Sequence, residues 1–322
     1  KLDWSAGYSY ANRNMPDRRR YNTVLNTDTN QLEVENLNEI NREFSRLNEH
    51  ILSANINYQH DFAFGDFTPT LKMGGYTEYR TREYNTRLFI YSWKNGLPSN
   101  YRVMNVPDEL MQDKNYGEDK LYLLEQVDWR NNYEGNNMLG AGYAGVNLPF
   151  GKWNIYAGVR FEHSRMELIS NTQKNEKSPT SVYYTYDDFF PSLNAAYRLN
   201  EQHQFRLSYG RTVNRPEFRE VSSSVYYDFD LASNVQGNYD LKAAYIDNID
   251  LGYEYYPSNG ELISVSLFYK KFKNPIEWTY TVAGGTDLIY SYINAKGADN
   301  YGVEVDIRKN LDFIGMKNFS LS

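Results

Sequence analysis

From Trp153 to Ser164 apolar and polar residues alternate strictly. Trp153, Ile155, Ala157, Val159 and Phe161 fall on one face of an extended chain; Asn154, Tyr156, Gly158, Arg160, Glu162 and Ser164 fall on the other. Side chains of a strand point to opposite faces with period two, so this stretch predicts a strand with one apolar side. The same alternation runs through Trp4, Ala6, Tyr8 and Tyr10, and through Leu52, Ala54, Ile56 and Tyr58. It returns in Ile249, Leu251, Tyr253 and Tyr255, and in Tyr301, Val303, Val305 and Ile307. About eleven strands are expected, near 3–11, 48–60, 67–82, 133–148, 153–170, 183–199, 204–215, 244–257, 261–275 and 299–309, with a last one opening at 318.

The connections between them are of two kinds. Short ones fall at 61–66, 149–152, 200–203, 258–260 and 310–317; long ones fall at 12–47, 83–132, 171–182, 216–243 and 276–298. Short and long alternate along the chain, as in a meander with minimal turns at one end and elaborated loops at the other. Bacterial membrane barrels are built so, with short periplasmic turns and long extracellular loops. Many of the strands exceed ten residues, whereas soluble strands average about five or six and tilted membrane strands need roughly 9–11. The fold class expected is all-β, an antiparallel up-and-down transmembrane β-barrel, with 1–322 as one partial barrel domain. Phe150 and Trp153, beside a short turn, read as an aromatic girdle at the periplasmic interface. Within the long loops, Leu32, Val34, Leu37, Ile40, Phe44 and Leu47 have near-helical spacing and predict a helix over Gln31–Leu47; Pro107–Met111 predicts a short second one.

Composition fits this reading. Only 41 % of the 322 residues are hydrophobic, and no run of about 20 apolar residues exists for a membrane helix. A barrel needs only alternate residues toward lipid. Tyrosine is abundant (31, against 16 Phe and 5 Trp), and its apolar ring with a polar tip suits strands, membrane interfaces and ligand-contacting loops. Cysteine is absent and the net charge is -7, which disfavours a disulfide scaffold and a nucleic-acid partner. Neither Lys1–Trp4 nor Asn318–Ser322 reads as a natural end, so an internal portion of a longer barrel is expected, lacking an N-terminal plug and the first and last strands.

From Phe189 to Leu321 the sequence resembles the barrel of TonB-dependent outer-membrane receptors of the Bacteroidetes type. The residues that carry the resemblance are Phe190–Tyr197 (FPSLNAAY), Leu207–Pro216 (LSYGRTVNRP), Gly237–Lys242 (GNYDLK), Leu251–Tyr256 (LGYEYY), Ser264–Ile276 (SVSLFYKKFKNPI) and Asn300–Val305 (NYGVEV). Gly158–Glu162 extends it upstream, to about 135–322; residues 1–134 fit by strand pattern only. The resemblance implies a 22-stranded barrel with an N-terminal plug. It would import a scarce nutrient (an iron chelate, cobalamin, a glycan or a peptide) with energy from the TonB complex reached through that plug. No plug-like segment or TonB-contact box is present in these residues. A surface lipoprotein is a further partner of the family's glycan branch, and outer-membrane lipid and lipopolysaccharide are expected around the wall.

The candidate residues divide by place. Arg160, Glu162, Arg206, Glu254, Glu304, Asp306 and Arg308 share the face opposite the apolar one and are expected to line a polar lumen. Tyr91, Trp93, Tyr101, Tyr226, Tyr227 and Phe229 lie in or beside long loops and are candidates for stacking on a substrate at the outer mouth; packing between loops is the competing role. Arg18-Arg19-Arg20 could meet an anionic ligand or lipopolysaccharide.

Other motifs carry little. Gly140-Ala141-Gly142-Tyr143-Ala144-Gly145 spells a dinucleotide fingerprint, but a strand and turn follow where a helix is required. Asn26–Asn30 opens like a calcium loop without its glycine or its bidentate glutamate, and Asp108, Glu109 and Asp113 are a looser acidic group. The four histidines lie apart, so no metal site, cofactor or catalytic group is expected. Asp187-Asp188 is the nearest approach to a glycosidase carboxylate pair, and adjacent strand residues point oppositely. A transport receptor is the leading reading; a passive or structural barrel and a soluble all-β carbohydrate-binding module are the rivals.

Overall fold

The computed structural model describes residues 1–34, 40–96, 110–284, 287–311, 314 and 319–321. In chain order the strands begin with β1 (Leu2–Arg20), β2 (Val24–Asn26), β3 (Gln31–Glu33), β4 (Asn41–Asp61), β5 (Thr70–Trp93) and β6 (Leu121–Glu125). Then follow β7 (Tyr133–Phe150), β8 (Trp153–Asn171), β9 (Pro179–Arg198), β10 (His203–Asn214), the one-turn helix α1 (Phe218–Val221), β11 (Val225–Asp228) and β12 (Ser233–Gln236). The last are β13 (Ala244–Tyr255), β14 (Leu262–Lys273), β15 (Ile276–Gly284), β16 (Asp287–Asn294), β17 (Gly297–Asn310) and β18 (Ser320–Leu321).

One antiparallel sheet forms the wall, in the order β1-β4-β5-β7-β8-β9-β10-β13-β14-β17-β18, with β6 paired to the outer end of β5. These are the expected strands, each hydrogen-bonded to the next across a short turn or a long loop. Among the described residues the sheet is open, with β1 and β18 at its edges.

Register turns the alternation into two continuous faces. Ala195, Leu207, Leu251, Leu267 and Val303 stand opposite one another across five strands. Leu207, Leu251, Leu267 and Val303 are all exposed. An apolar row this long exposed to water would be a large unfavourable patch; against lipid tails it is the expected surface. Aromatic rings close the row toward the short turns: Trp153 packs on Tyr197, Phe205 on Tyr253 and His203 on Tyr255, with Phe150 paired to Trp153. On the opposite face, Gly145 and Gly158 leave room for Tyr156, whose hydroxyl a Cβ at Gly145 would meet at 2.5 Å. Gly145 therefore serves close approach of a ring within the wall, and β7 continues straight through the glycine run.

Several strands run well past the apolar band. On β1 the outward residues change from Trp4, Tyr8 and Tyr10 to Asn12 and Asn14, and the strand continues to Arg20, outside the lipid. The same is true of the outer ends of β4 and β5. Segments 12–20, 41–47 and 83–93, expected as loop, are therefore strand.

The helix expected over Gln31–Leu47 does not form where it is described: Gln31–Glu33 is β3 and Asn41–Leu47 is β4. The apolar spacing served two environments instead of one helical face. Val34 and Ile40 are buried with Tyr91, Leu110 and Leu121 in a cluster between outer loops, whereas Phe44 meets Phe89 edge-on across the β4–β5 pair. Of Pro107–Met111 only Leu110 and Met111 are described. Two loops expected to be irregular build a second sheet, β11-β12-β16-β15, in which β12 and β16 are parallel. Its base, with α1, packs onto Tyr133, Met166, Leu168 and Tyr184 of the wall.

Candidate substrate-binding mouth and lumen wall

The mouth begins with a bulge. Between Met15 and Arg18 the β1–β4 register shifts by one residue, and Asp17 takes a left-handed backbone conformation with φ 63°. Below the bulge Arg13 shares the lumen side; above it Arg18 and Arg20 do, opposite Glu43 and Asn41. Arg19 and Arg42 are then cross-strand neighbours on the other side, where two like charges would repel. Asp17 answers both, accepting from Arg42 Nε at 2.6 Å and Arg19 Nε at 3.0 Å. These hydrogen bonds hold its carboxyl well below the usual range and push the Arg42 guanidinium up.

The segment after β10 turns into the lumen and is tied there by Arg215. Its guanidinium donates to Glu162 at 2.8 Å and to Asp188 at 2.9 Å. Arg160 Nε also donates to Glu162, at 2.7 Å, and the Tyr245 hydroxyl to Asp188, at 2.7 Å. Glu162 and Asp188 are direct cross-strand partners, so two carboxylates at one register position are held together by three donors around them. Next comes α1, closed by a capping box in which Glu217 N–H donates to Glu220 at 2.9 Å. Burial pushes the Glu220 carboxyl up. Phe218 lies directly over Gly135, against ring atoms that leave no room for a side chain there.

From this root the β11–β12 hairpin crosses the mouth toward β1. Three consecutive contacts form: Arg219 stacks on Tyr226 at 3.5 Å, Arg20 on Tyr227 at 4.1 Å and Arg18 on Phe229 at 4.7 Å. Arg18 also pairs with Glu43. The hairpin bounds a cavity of about 310 Å³ whose lining includes Arg18, Arg20, Arg130, Lys174, Tyr227 and Phe229. Arg130 is neutralised by Asp128 at 2.7 Å. Arg20 and Lys174 have no carboxylate partner among the described residues, and Arg20 Nε is buried with no hydrogen-bond partner. A semi-enclosed site with aromatic faces and unpaired cations suits a flat or conjugated anion, stacked on a ring and hydrogen-bonded at its edge.

Of the residues expected at the mouth, Tyr226, Tyr227 and Phe229 are together here, and Arg18 and Arg20 join them. Tyr91 is only 3 % exposed and belongs to the inter-loop cluster with Val34 and Ile40, and Trp93 packs against that cluster. Tyr101, like Asp108 and Glu109, lies outside the described residues. On the face opposite the apolar row, Arg160 and Glu162 join the Arg215 network, and Arg206 pairs with Glu254 at 2.8 Å. Glu304, Asp306 and Arg308 share that face of β17, opposite Ser266, Ser264 and Leu262. Arg215 and Arg219 escaped sequence reasoning, although Arg215-Pro216 directly after a strand marked the point where the chain leaves the wall. Asn26 Oδ1 accepts from the N–H groups of Asp28 and Thr29, so the calcium-like segment is a polar turn between β2 and β3. No group of three or more metal-ligating side chains occurs among the described residues.

The family model described as TonB dependent receptor-like, beta-barrel matches residues 1–321. Among curated proteins there is no match. The ferric citrate transporter FecA in unliganded form is 14 % identical with a TM-score of 0.59, over 97 % of this chain and 37 % of that one. The ferric-catecholate import receptor Fiu of E. coli K12 is 14 % identical with a TM-score of 0.57, over 96 % of this chain and 42 % of that one. FpvAI in its complex with pyocin S2 is 13 % identical with a TM-score of 0.56, over 96 % of this chain and 36 % of that one. At such identity the likeness is one of fold. The chain spans about two-fifths of the length of these structures.

Proposed function

Because the chain belongs to the TonB-dependent receptor β-barrel family, proteins of the bacterial outer membrane, we propose that it is wall and mouth of a receptor importing a scarce anionic small molecule with TonB-supplied energy. The observation that carries this reading is the cavity under the β11–β12 hairpin, lined by Arg20, Lys174, Tyr227 and Phe229, whose two cations have no carboxylate partner among the described residues. The similar structures are receptors for ferric citrate and ferric catecholates, chelates of the kind such a site suits. The lumen charges line the path inward, and the apolar outer row sits against membrane lipid. Contact with the TonB complex belongs to a plug outside these residues. Chemistry on the substrate is not part of the proposal.

The test uses the full-length protein in outer-membrane vesicles. Candidate nutrients of matched size are offered as anionic and neutral chelates, and binding is measured with wild type and with Arg20→Gln. Charge-assisted hydrogen bonds contribute about 1.5–3 kcal/mol each, so Arg20→Gln should weaken an anionic chelate roughly tenfold to a hundredfold and leave neutral ones unchanged. Equal binding of both classes to wild type would refute the reading.

A further inference from the structure

On the lipid side of the wall, β1, β4, β5 and β7 share a hollow of about 640 Å³. Tyr8, Tyr10, Arg46 and His50 line it from β1 and β4, and Glu83 and Glu134 from β5 and β7. Register puts all six on the face of Trp4, Leu52 and Ile56. Near the short turns Tyr58 stacks on His60. From His60 up to His50 is ten residues, and a tilted strand crosses the hydrocarbon in roughly 9–11. The hollow therefore opens at the level of the outer leaflet's headgroups.

Its charges are uncommitted. Arg46, Glu83 and Glu134 are exposed and form no ion pair among the described residues. Glu83 and Glu134 are direct cross-strand partners, an arrangement of like charges that a bound cation would relieve. Asn48 Oδ1 accepts from the Tyr10 hydroxyl at 3.1 Å and from Asn12 Nδ2 at 2.7 Å. That leaves the Asn48 N–H donors without a partner among the described residues. Arg82 also borders the hollow, but its guanidinium is neutralised by Glu49 at 2.6 Å. The β4 side thus offers a guanidinium and an amide donor, and the β5–β7 side offers two carboxylates.

Below the hollow the lipid face is shallow. Gly75 and Gly142 stand opposite each other in one row, with Ile56 and Phe161 on either side. Thr77 and Gly140 form the row above, and a Cβ at Gly140 would meet nothing within 4 Å. An apolar trough therefore runs from the hollow into the membrane band.

We propose that this face holds one lipid of the outer leaflet whose headgroup carries both a phosphate and a primary amine, a phosphoethanolamine group. The ammonium sits between Glu83 and Glu134 and cancels their repulsion. The phosphate takes Arg46 and the Asn48 N–H groups, and an acyl chain follows the trough over Gly140 and Gly75. A plain anionic headgroup would leave the two carboxylates opposed, and a choline headgroup has no N–H to donate to them. The site needs only the membrane orientation of the wall and is independent of the anion at the mouth.

The test uses the full-length protein in detergent, titrated with short-chain phosphatidylethanolamine, phosphatidylglycerol and phosphatidylcholine and read by native mass spectrometry. Phosphatidylethanolamine should bind as one equivalent, roughly tenfold or more tighter than either other lipid. Glu83→Gln with Glu134→Gln should abolish that preference, and Arg46→Gln should weaken phosphatidylethanolamine roughly tenfold. Gly140→Leu fills the trough, so it should weaken phosphatidylethanolamine and keep the headgroup preference. Heat-modifiable mobility on gels verifies that each barrel is folded before titration. Equal affinity for the three lipids, tighter binding of phosphatidylglycerol, or a preference unmoved by the double variant overturns the site and leaves the transport reading standing.

Discussion

Replacing Arg215 by methionine keeps the length of the side chain and removes its charge. Its guanidinium is the shared donor to Glu162 and Asp188, and the three side chains are 18 %, 12 % and 11 % exposed. Removing one partner of a buried ion pair costs about 3–5 kcal/mol, chiefly because the other charge is left uncompensated. Here Glu162 keeps Arg160 and Asp188 keeps Tyr245, which puts the expected cost near the low end, about 3 kcal/mol. The cost should be local, because Arg215 anchors the root of the α1 and hairpin segment and not the ladder of the wall. Hydrogen exchange in the full-length protein reads this directly. Amides of 216–236 should lose protection roughly a hundredfold, while β13 and β14 keep theirs, since about 1.4 kcal/mol is a tenfold change in an opening equilibrium. Adding Glu162→Gln and Asp188→Asn to the Arg215→Met background removes the opposed carboxylates and should restore about half of the lost protection. Unchanged exchange in 216–236, a loss spread evenly over the wall, or no recovery in the triple variant would each refute the reasoning.

Three further outcomes are expected. Leu251 lies within the apolar face between the His203–Tyr255 ring pair and the Arg211–Asp247 ion pair, so Leu251→Arg should cost about 2–4 kcal/mol in lipid vesicles. Ser266→Arg, on the other face and opposite Glu304, should cost less than about 1 kcal/mol, and equal costs in a urea titration would show that the faces are misassigned. A Cβ at Gly135 would approach Phe218 Cε1 to 2.5 Å, so Gly135→Ala should unseat α1 at a cost of about 1–3 kcal/mol. Phe218→Leu should relieve that cost; failure of the rescue would mean that Phe218 does not rest on that strand. The depressed carboxyl of Asp17 contributes stability that is complete above about pH 4, where a free aspartate has ionised, and is lost only as pH falls through the lower folded value. Amides at the outer end of β1 should therefore keep their protection from pH 7 to 5, and a loss within that window would contradict the Arg19–Asp17–Arg42 arrangement.

The wall was legible because its signal is redundant. Each strand carries its own period-two pattern, and the alternation of short and long connections orders the strands without further information. Strand ends were less legible, since beyond the lipid the outward residues turn polar and the pattern fades although the ladder continues, as at Asn12 and Asn14 of β1. The helix expected over Gln31–Leu47 shows the complementary error. Its spacing was real, but Val34 and Ile40 answer to one cluster and Phe44 to another, and a helical wheel presumes one partner surface. The β15–β16 hairpin could have been found: Trp278, Tyr280 and Val282 alternate with Thr279 and Thr281, and across the pair Trp278 packs on Tyr292 at 4.7 Å.

At the mouth, residue type was readable and grouping was not. Aromatic residues in long loops suit either a ligand or a neighbouring loop, and the structure separates the two by what lies opposite. Tyr91 faces Val34 and Ile40 and is sealed in an apolar cluster; Tyr227 faces Arg20 and borders an open cavity. Tyr227 and Arg20 are brought together by two backbone events that leave no strong mark in the sequence. One is the one-residue bulge at Asp17, which carries Arg18 and Arg20 from the lipid side of the sheet to the lumen side. The other is the inward turn at Arg215, which sends the hairpin across the mouth to meet them. The bulge absorbs one extra residue, so deleting Asp17 leaves Arg18 opposite Glu43 and Arg20 opposite Asn41 and should spare anion binding, whereas removing the hairpin should abolish it.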